Sequence, residues 1–449
     1  MNTNIFREYD IRGIVGEHLT NETVAVLAKA IGTYFVRNGA KRIAVGFDAR
    51  QSSPIFRDLL VQGFTECGID CVDIGRVPTP CLYFAVFTQN VDGGVMITGS
   101  HNPPNHNGFK INLGKSSVYG SQIQEIKELA INKDFEKGNE KTAKLDILND
   151  YEREISSRIK LGNRKLKVVM DGGNGMGGVT AVPIYEKLGV DLIKLFTEPD
   201  SNFPNHHPDP TVAENLQDVI REVVTNKADI GIAFDGDGDR IGVVDENGRI
   251  IWGDELMILL SREVLRENPK ATIIAEVKCS NTLYNEIEKL GGTAIMCKAG
   301  HSIIKAKMKE TNALLAGEMS GHIFFADKFY GFDDACYVGL RVLEILSKTD
   351  KTLSELLSDI PNTFSTPEIR IDCTDETKFD VVQKISDYFK QTNEVITIDG
   401  ARIVFENGWG LVRASNTQAI LVLRFEADTK ENLHKIQAIV DAKVKEFNV

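Results

Sequence analysis

Apolar and polar positions follow one another along this chain in blocks whose order repeats. Three short apolar runs, Ile43-Ala-Val-Gly-Phe-Asp48, Val168-Val-Met-Asp-Gly172 and Ile273-Ile-Ala-Glu-Val277, end in polar or glycine positions. Runs of this length bounded by turn residues predict buried strands. Each is followed by sequence of helical appearance and then by a second strand that opens into a polar loop. Those loops are Ile97-Thr-Gly-Ser-His101, Ala233-Phe-Asp-Gly-Asp237 and Leu315-Ala-Gly-Glu-Met-Ser320. A period of roughly a hundred residues is too long for a solenoid repeat and suits a small α/β domain.

Strands alternating with helices predict mixed or parallel sheets covered on both faces, with ligands gathered beyond the strand ends. Three polar loops at equivalent places are therefore expected to converge on one cleft. The alternation weakens after about residue 365. Arg402–Phe405, Trp409–Arg413 and Ala419–Arg424 then predict an antiparallel meander, covered by an amphipathic helix from about Lys430 to Phe447. The expected fold class is α/β: three similar mixed-sheet α/β domains plus a C-terminal α+β domain. The boundaries fall at 1–148, 149–249, 250–362 and 363–449, with soft joins at Asp146–Lys160, Gly248–Gly253 and Asp359–Pro367.

Composition narrows the class of function. The 449 residues are 42% hydrophobic and 26% charged, ordinary for a soluble globular protein. A net charge of −12 without a long basic run argues against nucleic acid or an anionic membrane as partner. Seven scattered cysteines lack zinc-ligand spacing and read as reduced and structural. The start has no apolar core of a signal peptide, and no transmembrane stretch occurs. A cytoplasmic enzyme acting on a small molecule, as monomer or homodimer, is expected.

Three aspartates, Asp235, Asp237 and Asp239, alternate with glycines. In an extended segment such alternation aims the carboxylates to one side. At ~4 Å each pair repels by about 1 kcal/mol in water and ~4 at a protein-surface dielectric, so a hard cation is the natural compensation. Mg²⁺ favours a few carboxylates together with phosphate oxygens. A calcium EF-hand is rejected: Arg240 sits where that loop needs glycine, and the flanks Ile230–Phe234 and Ile241–Val244 read as strands. A solvated acidic turn is the plain alternative.

Ser100 lies in Thr98-Gly-Ser-His-Asn-Pro-Pro104, directly after the apolar run Gly94–Ile97, which presents its hydroxyl at a sheet edge. A lone serine is a weak nucleophile. Here Arg7 and Arg12 in the N-terminal segment, Lys110 just beyond the loop and Arg240 beside the aspartates supply cations that would balance a phosphorylated serine. His101 reads first as a loop-fixing hydrogen-bond donor and second as a proton carrier. Lys110 suits acid or base work if buried. Glu318 and Ser320, at alternate positions between glycines, suit vicinal sugar hydroxyls. His301, in Lys298-Ala-Gly-His301, is as readily a core histidine as a site residue. Arg413-Ala-Ser-Asn-Thr417 makes a phosphate cradle of one arginine, hydroxyls and an amide.

Taken together, these loops resemble the α-D-phosphohexomutase family over nearly the whole chain. The resemblance rests on Phe6-Arg-Glu-Tyr-Asp-Ile-Arg-Gly13, Thr98–Pro103, Asp235–Asp239, Asn202–Pro210, Gly317-Glu-Met-Ser-Gly-His322 and Arg413–Thr417. It implies a heart-shaped, four-domain enzyme with a central cleft. It implies a phosphoserine at Ser100 and Mg²⁺ held by that group with Asp235, Asp237 and Asp239. Glu318 and Ser320 would bind the sugar 3- and 4-hydroxyls. Arg413, Ser415, Asn416 and Thr417 would hold the non-reacting phosphate. Tyr9, Arg12, Lys110, Arg240, Lys278 and His301 would line the cleft, with Lys110 or His301 as acid or base and His322 among the substrate-binding residues. The implied activity converts a hexose 1-phosphate to the 6-phosphate through a 1,6-bisphosphate, with glucose or mannose 1,6-bisphosphate as activator. Glu-Met-Ser at 318–320 resembles the branch acting on mannose and glucose phosphates. A glucosamine-phosphate mutase and, less readily, a serine-dependent metallophosphatase are the alternatives.

Overall fold

In the computed structural model, which describes residues 1–416 and 418–448, the first three units share one sheet plan. In unit one, strand 42–47 runs parallel between strands 70–76 and 93–97, and strand 106–113 returns antiparallel to 93–97. Unit two repeats this with 167–171 between 191–195 and 230–234, and 241–245 antiparallel. Unit three repeats it again with 272–276 between 293–297 and 315–317, and 323–325 antiparallel. Each unit therefore has four strands where the repeat read from the sequence names two. Asp191–Leu195 is part-exposed and broken by Asp191 and Lys194, whereas Thr293–Cys297 carries the apolar run Ala294–Cys297, which the repeat read from the sequence passes over. The extra strands shift none of the serine, aspartate and sugar loops, because each of the three lies between the third and fourth strand of its unit.

Ordinary capping sets the helices. Thr20 accepts the Thr23 N–H to open helix Asn21–Arg37, and Thr352 with Glu355 forms a capping box. Helix Ser53–Cys67 ends on Gly68, whose φ of +95° is the left-handed turn glycine tolerates. Helix Thr79–Thr88 is apolar nearly all round because it is buried between units.

One hydrophobic core runs through all three units. It joins Met96 of unit one, Met170 and Ile232 of unit two, and Ile273 and Leu315 of unit three. Phe84 against Tyr151 and Tyr83 against Phe332 lock the seams, with ring centroids 5.6 and 5.5 Å apart. Each such side chain, fully buried, contributes ~1.5–3 kcal/mol, so the units cannot slide apart cheaply.

The C-terminal unit is separate. Strands 401–405, 408–414 and 420–427 form the antiparallel meander, and helix Lys430–Phe447 packs on it. Its core, built from Val381, Ile403, Leu423 and Ile436, does not merge with the larger one. Its seam with unit three combines a small apolar cluster of Val277, Trp409 and Leu411 with polar contacts: Arg402 Nη1 donates to the Cys279 carbonyl at 3.0 Å, and Asn281 N–H donates to Glu426 at 3.1 Å. The result is a four-domain α/β fold with all seven cysteines buried and free. Among the described residues no helix is long and apolar enough to cross a membrane.

Candidate functional site

Strand 93–97 is interior to its sheet and delivers Ser100 beyond its carboxyl end. Thr98 Oγ1 accepts the Ser100 N–H at 2.8 Å, and Ser100 adopts φ +48°, a left-handed conformation costly for a residue with a side chain. The loop is held from beneath. Asp48 accepts the Gly99 N–H at 3.0 Å, and Arg50 donates to the carbonyls of Ser100 and His106 at 2.8 and 2.9 Å. The Ser100 hydroxyl is thereby aimed at unit two, where Oγ donates to Asp235 at 3.0 Å. His101 Nδ1 lies 3.1 Å from the same oxygen. Burial, with Arg240 and Arg12 nearby, holds His101 well below the usual histidine range, so the ring is neutral.

The aspartate segment is a tight turn, not the extended strand inferred from its alternation. Gly238 takes φ +76°, and Asp235 Oδ1 accepts the N–H groups of Gly238, Asp239 and Arg240 at 3.0, 3.1 and 3.2 Å. This curl, rather than period-two alternation, brings the three carboxylates to within 4.8 Å of one another. All three are fully buried. Thr79 and Lys110 donate to Asp237 Oδ2 at 2.6 and 2.7 Å, and Lys110 also reaches Asp239.

Burial opposes ionisation throughout. It pushes Asp235 well above the usual range, with Asp237 and Asp239 adding to the effect, whereas Lys110 outweighs it at Asp237. Lys110 itself is held well above the lysine range: burial works against it, but Asp237 and Asp239 win. The outer oxygens, Oδ1 of Asp237 and of Asp239, have no hydrogen-bond partner among the described residues. An unsatisfied buried acceptor costs ~1–3 kcal/mol. Two such oxygens in a cluster of three carboxylates fit a divalent hard cation.

In front of this wall lies a cleft of ≈ 1190 Å³. Ser100, Lys110 and the aspartates sit behind its lining, while Tyr9, Arg12, His101, Arg240, Lys278, His301, Glu318, Ser320, His322, Arg413, Ser415 and Asn416 face it. Arg12 is fixed by Asp10 at 2.8 and 3.0 Å. Glu318 accepts the Gly300 N–H at 2.7 Å and so fixes the turn that starts helix His301–Thr311. His301 stacks on His322 at 5.5 Å. Burial and Lys305 hold His301 well below the usual range, and its Nδ1 makes no hydrogen bond among the described residues. From the C-terminal unit, Arg413 donates to Asp399 at 3.0 Å, Gln418 N–H donates to the Ser415 hydroxyl at 3.1 Å, and Asn416 donates to Tyr9 at 2.7 Å. Lys278 is engaged by Glu368 at 3.1 Å. Thr417 lies outside the described residues.

Four supporting groups escape sequence reasoning: Asp48, Arg50, Asp333 and Asp399. Asp333 Oδ2 lies 2.9 Å from His322 Nδ1, and Asp399 accepts both Arg413 and the Ala299 N–H. They act on backbone groups or on other side chains, and no loop motif marks them.

Comparison with known proteins accounts for the chain in four pieces. Residues 3–140, 149–248 and 252–364 match phosphoglucomutase/phosphomannomutase alpha/beta/alpha domains I, II and III, and residues 368–443 match the C-terminal domain. The chain is 48% identical over 439 residues to the phosphomannomutase/phosphoglucomutase of Pseudomonas putida, covering 97% of this chain and 94% of that one. It is 46% identical to the phosphoglucomutase of Neisseria meningitidis, covering 97% and 95%. A crystal structure of a phosphoglucomutase/phosphomannomutase family protein from Burkholderia thailandensis superposes with a TM-score of 0.94 at 42% identity, covering 99% of this chain and 98% of that one.

Proposed function

Because this chain belongs to the phosphoglucomutase/phosphomannomutase family and is a hexose-phosphate mutase, an isomerase, we propose that it moves the phosphoryl group through Ser100. The observation that carries this reading is the 3.0 Å contact of Ser100 Oγ with Asp235, made between two units and beside two unpartnered carboxylate oxygens. In the resting enzyme Ser100 carries a phosphoryl group. A hydroxyl of the bound hexose monophosphate attacks that phosphorus; the serine P–O bond breaks, and a sugar P–O bond forms. The hexose 1,6-bisphosphate then turns over in the cleft, its other phosphate returns to Ser100, and the isomeric monophosphate leaves. Free glucose or mannose 1,6-bisphosphate activates by phosphorylating Ser100.

Asp235, Asp237 and Asp239 would hold Mg²⁺, which, when bound, neutralises charge on the transferring phosphoryl group. The remaining work falls to side chains on the page. Lys110 or His301 moves the proton: neutral His301 has an Nδ1 without a hydrogen-bond partner among the described residues, and Lys110 is a buried cation beside Asp237 and Asp239. Glu318 and Ser320 bind the 3- and 4-hydroxyls, leaving carbon 2 unread, so mannose and glucose phosphates both serve. Arg413, Ser415, Asn416 and Thr417 hold the distal phosphate, with Tyr9, Arg12, Lys278, Arg240 and His322 around the ring. Domain boundaries at 148, 249 and 362 put one loop of this set in each unit. We place the enzyme in the cytoplasm, as monomer or homodimer.

The test is steady-state turnover of glucose, mannose and glucosamine 1-phosphates with Mg²⁺ and trace bisphosphate, for the wild type and Ser100→Ala. Comparable kcat/KM on the first two sugars, lost in Ser100→Ala, is expected. Dominant glucosamine turnover would move the enzyme to the hexosamine branch. Phosphate release without isomerisation would make it a phosphatase.

A further inference from the structure

The three similar units repeat more than a sheet. In unit one Asp48 directly follows strand 42–47, one residue beyond the position paired with Ile97, and two residues on comes Arg50. In unit three the first strand ends on Glu276, and two residues on comes Lys278. The wiring matches as well as the spacing. Arg50 N–H donates to Asp48 at 3.0 Å, and Lys278 N–H to Glu276 at 3.3 Å. Each base also approaches its acid through the side chain, at 3.2 and 3.5 Å. The acid then takes an N–H from the loop that follows the third strand: Gly99 to Asp48 at 3.0 Å, and Met319 to Glu276 at 3.3 Å. Gly99 and Met319 occupy the same place, two residues beyond their strand ends at Ile97 and Gly317. In unit two the acid is Asp171. Gly173 N–H donates to it at 2.7 Å, and His206 from the Asn202–Pro210 run takes the place of the base at 2.9 Å.

Unit one has turned this device to a different use from unit three. Lys278 faces the cleft, whereas Arg50 is 1% exposed and does not line it. Its guanidinium spans the underside of the serine loop and donates to the carbonyls of Pro103, His106, Ser100 and Asn102 at 2.5, 2.9, 2.8 and 2.6 Å. Gly99 rests directly on it: a Cβ there would come within 2.3 Å of Arg50 Cζ. Phe203 closes the other side, 5.4 Å from the guanidinium. Four inward-turned carbonyls would repel one another in a buried loop, and one planar cation gathers them.

We propose that Arg50, oriented by Asp48, is the positioning residue of the phosphoryl-carrying serine. It acts on Ser100 through the loop backbone and touches neither the sugar nor its phosphate. The proposal rests on Ser100 being the phosphoryl carrier. Loss of the fork lets the loop relax from its left-handed turn and carries Oγ out of line, while the substrate's own contacts stay in place. Misplacement by about 1 Å costs on the order of 10²-fold in rate.

The experiment compares Arg50→Met, Arg50→Lys and Asp48→Asn with the wild type in kcat, KM, thermal midpoint and Ser100 phosphorylation by intact mass. The expected result is a kcat lower by about 10²-fold in Arg50→Met, with KM within threefold. Arg50→Lys, which keeps the charge but not the fork, should remain at least about tenfold slow while unfolding near the wild-type temperature. A folded Arg50→Met with wild-type kcat would overturn the proposal, as would a rise in KM at unchanged kcat. If Arg50→Met does not fold, Arg50→Lys decides by the same split, and full activity there overturns it. Ser100→Ala separates the two readings. An active Ser100→Ala removes the serine mechanism and this proposal with it, whereas an inactive one beside a fully active Arg50→Met removes only the role of Arg50.

Discussion

Arg240 Nε donates to His322 Nε2 at 2.9 Å and ties the aspartate turn of unit two to the sugar loop of unit three. Since Nε2 accepts, the ring proton sits on Nδ1, facing Asp333 Oδ2 at 2.9 Å. The charge of Asp333, rather than an aligned hydrogen bond, favours that proton and so the tautomer on which the Arg240 contact depends. Asp333→Asn removes that preference. A unit charge at ~4 Å is worth about 1 kcal/mol in water and ~4 at a protein-surface dielectric, so kcat should fall by on the order of tenfold to a hundredfold. The check is a kcat and KM comparison with Arg240→Lys, which should lose a similar amount by removing the donor instead.

Gly236 is where the serine and aspartate loops come closest. A Cβ on it would lie 2.3 Å from the Ser100 carbonyl oxygen, with Pro208 behind at 3.4 Å. Gly236→Ala must therefore separate the loops. The expected outcome is a loss of kcat of at least about a hundredfold, with substrate binding preserved, since Gly236 does not line the cleft. Calorimetric titration of substrate against the variant reads both halves.

Lys110 neutralises Asp237 and Asp239 when no cation does. Chelation should therefore abolish turnover while leaving the wild type folded. Lys110→Met takes that safeguard away and leaves buried carboxylates uncompensated, a penalty of about 3–5 kcal/mol. Denaturant midpoints measured with Mg²⁺ and with chelator should lie close together for the wild type and well apart for the variant. Equal gaps would count against the neutralising role.

The Glu368–Lys278 contact brings acid sensitivity to the seam between units three and four. Burial works against ionised Glu368, yet Lys278 and Arg370 hold it down at about 2, against an ordinary value of 4.5. A lowered acid stabilises the fold fully above its unfolded value and loses that contribution as pH falls through its folded value. The loss should run from about pH 4.5 down to about 2, at most on the order of 3 kcal/mol. Unfolding midpoints across that range should fall less steeply for Glu368→Gln.

The loops were readable because each marks an abrupt change from buried strand to glycine and charge, as at Ile97-Thr-Gly-Ser100 and Phe234-Asp-Gly-Asp237. Helix Lys430–Phe447 was readable because its apolar positions keep helical spacing. Strand 191–195 was not, since a part-exposed strand interrupted by charge needs little hydrophobicity, and the short apolar run Ala294–Cys297 is too brief to stand out beside the helices around it. The aspartate turn misled in geometry: alternation suggests an extended chain, while Asp235 gathers three N–H groups and curls it. Arg50 was hidden because its partners are backbone carbonyls, which have no residue signature. The one available signal was the recurrence of acid-x-base at Asp48-x-Arg50 and Glu276-x-Lys278.

The continuous core of the first three units has a consequence for how the enzyme is born. Ser100, Asp235 and Glu318 reach one place only when three sheets, spread over more than two-thirds of the polypeptide, have packed against each other. A nascent chain that has emerged as far as Asp239 already holds the serine and the carboxylates but lacks the third sheet, whose His322 accepts from Arg240. A fragment ending before that sheet therefore lacks His301, Glu318 and His322, which line the cleft. The late-emerging C-terminal unit, with a core of its own, attaches last to a finished body, through contacts such as Arg402 with Cys279 and Asn416 with Tyr9.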